Sequence, residues 1–390
     1  MNKRTLALFL TIALVCTPAV AYPAAALEVT PATPAEFDVP CRAAILVDED
    51  SGTVLYEKNA DEQRPIASIT KVMTMLLTFE ALEAGKITLE DYVPVSEHAY
   101  SMGGSQIWLE PGEQMTLNEM LKAVCISSAN DAAVAVAEFV GGSEPAFVQQ
   151  MNERAATLGM SNTTFRNACG LDAEGHLSSA RDVATMSREM LLHHTEVRDY
   201  CTVWTDTLRG GATQLVNTNK LLKSYNGITG LKTGTTSGAG VCISASAERD
   251  GLRLIAVVLG SDNGKDRFTA ATTLLDHGFA NYENAKVELP AEAAQTLPVT
   301  HGTQDTVDLH YTTPGVYLVR KGESGTLRAA VELTETLQAP VTAGTQVGTV
   351  RVMQGETELQ SYAITTAHDV AALSFGDCLH RLVEALLTAS

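Results

Sequence analysis

Positive charge is scarce in this chain. Lys and Arg total 27 against 46 Asp and Glu, a formal net charge of −19 over 390 residues. So acidic a surface repels a phosphate backbone, which excludes nucleic acid as a partner. Cysteine is also sparse, with seven in all. That is too few for a disulfide scaffold, and no specific disulfide is expected. Cys125 and Cys242 lie in apolar stretches and read as buried thiols. The nine His show no His-Glu-x-x-His or other ligand spacing, so no metal is expected. There is no Gly-rich nucleotide loop, and no cofactor is expected. Internal repeats and low-complexity tracts are lacking too. What is plentiful is core material. At 45% hydrophobic and 19% charged, the composition excludes a mainly disordered chain. The length suggests two domains.

The N-terminus carries an address. Lys3 and Arg4 precede Leu6 to Cys16, which is apolar except for Thr11. That run is too short to cross a bilayer as a permanent helix. Ala19-Val20-Ala21 follows as a small-x-small cleavage pattern, with Ala24-Ala25-Ala26 a second candidate. Residues 1–21 therefore read as a signal peptide, the alternative being an uncleaved anchor. Val15 is not the small residue that a lipoprotein would place before Cys16. Losing Lys3 and Arg4 with the signal takes the net charge from −19 to −21. The mature chain is expected to be exported, to the outer face of the cytoplasmic membrane, the periplasm or the cell wall. Residues 22–40 hold four Pro and read as a linker.

From Ala43 the text AAILVDEDSGTVLYEKNA puts two β-prone runs around Asp48 to Gly52, a hairpin signal. A helix is predicted from about Ala67 to Ala84, with Gly85 just past its end. Thr116 with Glu119 forms a capping box for a helix running to about Ala123. Further helices are expected near 130–140, 144–158 and 180–193. Val241 to Ala247 and Leu252 to Leu259 read as strands joined by Arg249-Asp250-Gly251. Lys265 to His277 looks helical, with Gly278 ending it. These elements make a first domain over 41–284. Beyond it, short alternating runs such as GVYLVRK and QVGTVRVM mark a small all-β domain over 285–372. In the tail, 373–390, Phe375, Leu379, Leu382, Val383, Leu386 and Leu387 fall on one helical stripe.

Chemistry points first to Ile66–Phe79, which has one charge, Lys71, in 14 residues. Ile69, Val72, Met73, Leu76 and Leu77 form a buried stripe, and Thr70, Thr74 and Thr78 occupy another face. Such a helix is enclosed on most sides. Ser68 and Lys71 are three apart and share a face. Burial and the positive end of the helix dipole both disfavour a charged Lys71, which then becomes a base for the Ser68 hydroxyl. First-turn N–H groups are available to an oxyanion. The plain alternative is that Ser68 caps a core helix and Lys71 snorkels out. Ser128-Ala129-Asn130 lies between two predicted helices, where Ser and Asn also serve as helix caps. Lys232-Thr233-Gly234 falls on a predicted strand. It reads either as a protected edge or as a place where a ligand backbone pairs. Each motif is weak alone, but Ser-x-x-Lys, Ser-x-Asn and Lys-Thr-Gly in this order mark serine acyl-enzymes. His193-His194 read as incidental, and His176 as structural.

The segments PIASITKVMT, SSANDAAVAVAE, NACGLDAEGHLSSARDVATM and ITGLKTGTTSGAGVCISASAERDGLRLIAVVLG resemble the low-molecular-mass penicillin-binding proteins, the D-alanyl-D-alanine carboxypeptidases. LQAPVTAGTQVGTVRV resembles that family's β-rich second domain. The resemblance implies an α/β (α+β) chain. Its first domain would be β-lactamase/transpeptidase-like, an antiparallel sheet flanked by helices, and its second all-β. It implies Ser68 as nucleophile, Lys71 as base and Ser128 as a proton relay to the leaving amine. Asn130 would hold the substrate amide, and Lys232 and Thr233 the terminal carboxylate. Lys232 would help keep Lys71 neutral. Gly234 admits the substrate backbone, and the N–H groups of Ser68 and Thr235 form the oxyanion hole. Arg267 matches a family arginine near the carboxylate site, the alternative being an ordinary surface residue. The implied substrate is a peptidoglycan stem peptide ending in D-Ala-D-Ala, with β-lactam antibiotics as covalent inhibitors. A β-lactamase and a silent wall-binding protein are the rival readings. Glu174-Gly175-His176-Leu177-Ser178 is only a partial echo of the β-lactamase water-activating loop. The tail resembles the family's membrane-surface helix. Its polar side, with Asp377, His380, Arg381 and Glu384, is not basic, so simple packing stays open.

Overall fold

The computed structural model describes residues 37–312 and 314–388. The signal reading for 1–21 and most of the linker reading for 22–40 lie outside the described residues. Of the rest of that segment, Phe37 stacks on Tyr56 with ring centroids 5.0 Å apart, and Val39 is buried.

The first part of the chain is organised by a five-stranded antiparallel sheet. Its strands are β1 (Ala43–Asp48), β2 (Val54–Lys58), β3 (Ile228–Thr236), β4 (Gly240–Arg249) and β5 (Leu252–Ser261), in the order β2-β1-β5-β4-β3. The β1–β2 hairpin forms where its turn residues predict, and the Ser51 N–H and hydroxyl both donate to Asp48. Asp250 and Gly251 alone link β4 to β5, with φ of 51° and 79°. This is the turn that an Asp-Gly pair favours. Side chains alternate across the sheet. Ile45, Val47, Ile255, Val257 and Leu259 enter one apolar cluster. Leu46, Leu254, Ala256 and Val258 enter another, on the opposite face.

Helices cover both faces. On the larger side stand α1 (Lys71–Glu83), α2 (Leu117–Ile126), α3 (Asn130–Gly141), α4 (Glu144–Thr157) and α5 (Ala180–His193). The Thr116–Glu119 capping box opens α2 as predicted, and α2 runs on to Ile126. Helix α1 is enclosed on nearly every side. Its buried threonines are satisfied: Thr74 donates to the Ala168 carbonyl at 2.6 Å and Thr78 to Thr74 O at 2.8 Å. On the other face lies α6 (Gly264–Asn281). Here the structure corrects one expectation, because Gly278 does not end this helix. It is buried inside it, and a Cβ there would come within 2.4 Å of Leu254. The residue is glycine because helix and sheet approach closely there.

After α6 the chain is almost all β. Tyr282–Lys286 pairs with Val316–Arg320. Six further strands form a sheet in the order Leu327–Leu333, Gln346–Gln354, Thr357–Thr366, Thr306–Tyr311, Thr296–Thr300, Leu337–Gln338. Its core includes Val299, Val307, Val350 and Ile364. The tail is helix α7 (Phe375–Thr388). Its apolar stripe is fully on the outside, with Phe375 86% and Leu387 72% exposed. From its polar side, Arg381 holds Asp305 and the Gly302 and Thr303 carbonyls. Among the described residues no helix is long and apolar enough to cross a membrane.

Candidate active site

The site is built around one turn of chain. Ala67–Thr70 form a 3-10 turn that passes into α1 at Lys71, and Ala67 enters it with φ 49°. Lys71 is wholly buried. Its Nζ lies 3.0 Å from Ser68 Oγ, 2.5 Å from Asn130 Oδ1 and 2.7 Å from the Cys169 carbonyl. Three acceptors match the three hydrogens of an ammonium. With one proton gone, Asn130 and Cys169 still take two hydrogens, and the lone pair faces the Ser68 hydroxyl. Burial pushes Lys71 down from 10.5 to about 8, against the raising influence of Cys169 and the Asp131 carboxylate. That shift amounts to about 3 kcal/mol in favour of the neutral amine.

Two glycines make the turn possible. A Cβ on Gly170 would sit 2.0 Å from the Ala67 carbonyl oxygen. On the other side, a Cβ on Gly234 would sit 2.9 Å from Ile66 O and 3.0 Å from Ser68 N. The Lys232-Thr233-Gly234 segment lies on β3, an edge strand as expected, and it presses directly against the serine turn.

Lys232 is buried, with its Nζ donating to the Thr233 carbonyl at 3.0 Å. Burial first and the Lys71 charge second lower it from 10.5 to about 7. The expectation was that Lys232 would depress Lys71. Burial is the first cause for both amines, and the repulsion between them is mutual, so a charge on Lys232 favours a neutral Lys71 and the reverse. Thr233 donates to Thr218 Oγ1 at 2.6 Å and Thr235 to Gly234 O at 2.8 Å.

Arg267 is not a surface residue. It is 8% exposed beneath β3, with long contacts to Gly234 O at 3.3 Å, Cys242 O at 3.3 Å and Thr235 Oγ1 at 3.5 Å. Its Nε is buried without a partner. Burial lowers it from 12.5 to about 10. The strand thus carries a cationic lining suited to an anion.

Neither member of the Ser-x-Asn motif acts as a side-chain helix cap. Ala129 holds the N-cap position, and Ser128 stands just before it with φ 61°. Ser128 is 4% exposed. Asn130, rather than Ser128, makes the direct contact with Lys71. Asn130 Nδ2 donates to the Gly103 carbonyl and its N–H to the Ser105 carbonyl, each at 2.7 Å. The next residue, Asp131, accepts from the N–H groups of Ile107 and Leu109, each at 3.1 Å from Oδ2.

Sequence reasoning missed several supports. Asn167 Oδ1 accepts from the Cys169 and Gly170 N–H groups and closes the turn that aims the Cys169 carbonyl at Lys71. Asp172 ties that loop to the end of β3 through Thr236 and the Gly238 N–H. Thr218 meets Thr233. A backbone carbonyl acceptor carries no side-chain signature, so Cys169 was invisible. His176, read as structural, bonds Thr70 Oγ1 through Nε2 at 2.8 Å and accepts the Arg166 N–H on Nδ1 at 3.1 Å. Glu174, in the partial echo of the β-lactamase loop, is exposed. Among the described residues no carboxylate hydrogen-bonds Ser68 or Lys71. A hollow of about 580 Å³, lined by Phe79, Tyr200 and His194 among others, holds none of these groups. Convergent geometry, not cavity size, marks the site.

Comparison with known proteins agrees with this geometry. Residues 28–263 match the family model described as D-alanyl-D-alanine carboxypeptidase, and 282–372 match the C-terminal domain of penicillin-binding protein 5. The chain is 41% identical over 344 residues to the D-alanyl-D-alanine carboxypeptidase DacF of Bacillus subtilis, covering 87% of this chain and 88% of that one. Penicillin-binding protein 5 from Haemophilus influenzae superposes with a TM-score of 0.74 at 31% identity, over 86% of this chain and 99% of that one. Penicillin-binding protein D2 from Listeria monocytogenes, solved in an ampicillin-bound form, gives a TM-score of 0.58 at 33% identity, over 63% and 100%. A serine–lysine pair buried against a Lys-Thr-Gly edge strand, in a chain whose residues 28–263 match that family model, leads to one assignment: the chain belongs to the D-alanyl-D-alanine carboxypeptidase family.

Proposed function

We propose that the protein is a serine-type D-Ala-D-Ala carboxypeptidase that trims peptidoglycan stem peptides. The observation that carries this reading is the wholly buried Lys71 amine, 3.0 Å from Ser68 Oγ. Neutral Lys71 takes the Ser68 proton as Oγ attacks the carbonyl of the penultimate D-Ala. The N–H groups of Ser68 and Thr235 hold the oxyanion. Ser128 relays a proton to the leaving amine, and the terminal D-Ala departs. Asn130 holds the substrate amide. Lys232, Thr233 and Arg267 hold the terminal carboxylate, and Gly234 leaves room for the substrate backbone. Water then hydrolyses the ester and restores the Ser68 hydroxyl. β-Lactams acylate Ser68 by the same attack.

Among the described residues no carboxylate hydrogen-bonds the Ser68–Lys71 pair, which argues against a β-lactamase, since that enzyme needs one to activate its deacylating water. The signal reading places the enzyme outside the cytoplasmic membrane, where the wall is. The exposed stripe of α7 is suited to peripheral contact with a lipid surface.

The test follows free D-Ala released from a soluble peptide ending in D-Ala-D-Ala. Wild-type protein should release it, and Ser68→Ala should lose at least about 10³-fold in rate. No release by the wild type would favour a silent wall-binding protein. Rapid turnover of penicillin would favour a β-lactamase.

A further inference from the structure

We propose that Trp108 is a glycan platform at the rim of the active site, stacking on a pyranose ring of the strand that carries the stem peptide. The proposal rests on the carboxypeptidase reading and extends it to a second part of the same substrate.

Trp108 is 77% exposed, yet its backbone is held in the left-handed region at φ 59°. A bulky residue stays there only when its surroundings over-determine it. Here they do. Its neighbours Ile107 and Leu109 are 2% and 1% exposed, and both their N–H groups are pinned on the buried Asp131 carboxylate. Arg209 donates to the Ile107 carbonyl at 2.8 Å and the Trp108 carbonyl at 3.4 Å. Glu113 fixes Arg209 in turn, with its two oxygens at 2.6 and 2.9 Å. With both neighbours buried, the indole is turned out to solvent on a braced loop. Such an aromatic loses little freedom on binding.

The same loop forms the wall of the site. Asn130, which holds Lys71, bonds the Gly103 and Ser105 carbonyls. Trp108 follows Ser105 by three residues, so its Cα lies within about 11 Å of the Ser105 Cα. A group joined to the reacting peptide by a few residues reaches that far.

The surroundings of the indole select the ligand chemistry. Beside it lies a hollow of about 420 Å³, lined by Trp108, Glu110, Pro111, Gly112, Glu113 and Arg209. A pyranose has an apolar C–H face and a rim of hydroxyls that both donate and accept. The indole offers the flat apolar surface, and because the five N–H groups of Arg209 are all spent inside the loop, the hydroxyls meet acceptors, the Glu110 and Glu113 carboxylates.

The experiment compares D-Ala release from isolated glycan-linked pentapeptide with release from a soluble peptide ending in D-Ala-D-Ala. Trp108→Ala should lose about tenfold more kcat/KM on the glycan-linked substrate than on the soluble one, and Trp108→Phe should recover most of the difference. Equal losses on both substrates overturn the proposal. A second readout uses Trp204→Phe, which leaves Trp108 as the sole indole, since the chain has two Trp. An N-acetylglucosamine tetramer should shift its emission to the blue, and an unmoved spectrum counts against the platform. Fluorescent penicillin labelling of the same proteins separates the two ideas. An unlabelled wild type sinks the carboxypeptidase reading, whereas labelled protein with equal losses sinks only the glycan site.

Discussion

Replacing Gly234 by Ala tests how the site is assembled without touching any reacting group. Gly234 lies outside the left-handed region, so backbone strain is not at issue. The added methyl would sit 2.9 Å from Ile66 O, 3.0 Å from Ala67 Cβ and 3.0 Å from Ser68 N. Ordinary contact begins near 3.4 Å. Two of the three opposing atoms are backbone, in a turn braced from behind by Gly170, so neither side yields freely. The strand and the serine turn must part by about half an ångström, at a cost of about 1–3 kcal/mol in overpacking. A displacement of 1 Å at a reacting centre costs about 10²-fold, so half of that costs about tenfold. The assay is the second-order rate of acylation by fluorescent penicillin, paired with a melting curve. Gly325→Ala serves as control, because a Cβ there meets nothing within 4 Å. Acylation should fall about tenfold or more in Gly234→Ala and stay unchanged in the control. Wild-type acylation and an unchanged melting temperature in Gly234→Ala would refute the claim that strand and turn are in contact.

Three further outcomes follow. Lys71 and Lys232, lowered to about 8 and about 7, titrate as a pair, and the reactive form keeps one proton between them. The kcat/KM for D-Ala release should therefore rise through about pH 7 and fall through about pH 8, and a flat profile from pH 6 to 9 would contradict this. Burial lowers His176 from 6.5 to about 4, with Asp172 opposing. Between those pH values the unfolded chain binds the extra proton, so stability is lost as pH falls from 6.5 towards 4, by about 3 kcal/mol at the limit. Denaturant titration should show the advantage of wild type over His176→Gln shrinking across that window, and a constant gap would assign the dependence elsewhere. Removing residues 374–390 should shift the protein from the pellet to the supernatant when it is spun with phospholipid vesicles. An unchanged soluble fraction sinks the membrane role of α7.

Much of the site was legible because its chemistry sits in side chains at fixed local spacing. Ser68 and Lys71 share one helical turn, and an apolar run with a single lysine forecasts that lysine's burial. Lys232 to Gly234 advertised an edge strand. The Asp250-Gly251 turn and the Thr116–Glu119 cap were equally plain, since each is a local rule satisfied locally. What escaped depends on distant approach. The Cys169 carbonyl meets Lys71 from 98 residues away. Gly278 looked like a helix end because its reason, the side chain of Leu254, lies on another element. Arg267 carried no sign of its depth, since it ends a run of three charged residues, Lys265-Asp266-Arg267, at a helix N-terminus, as on any surface segment.

The central claim is that the Ser68 hydroxyl, activated by a neutral buried amine, forms a covalent acyl-enzyme. Intact-mass measurement after brief exposure to penicillin, followed by proteolysis to locate the adduct, tests it most directly. The account predicts one penicilloyl group per chain, carried by Ser68 in wild type, absent in Ser68→Ala and strongly slowed in Lys71→Gln. An adduct on any other residue, or wild-type labelling in Ser68→Ala, contradicts it.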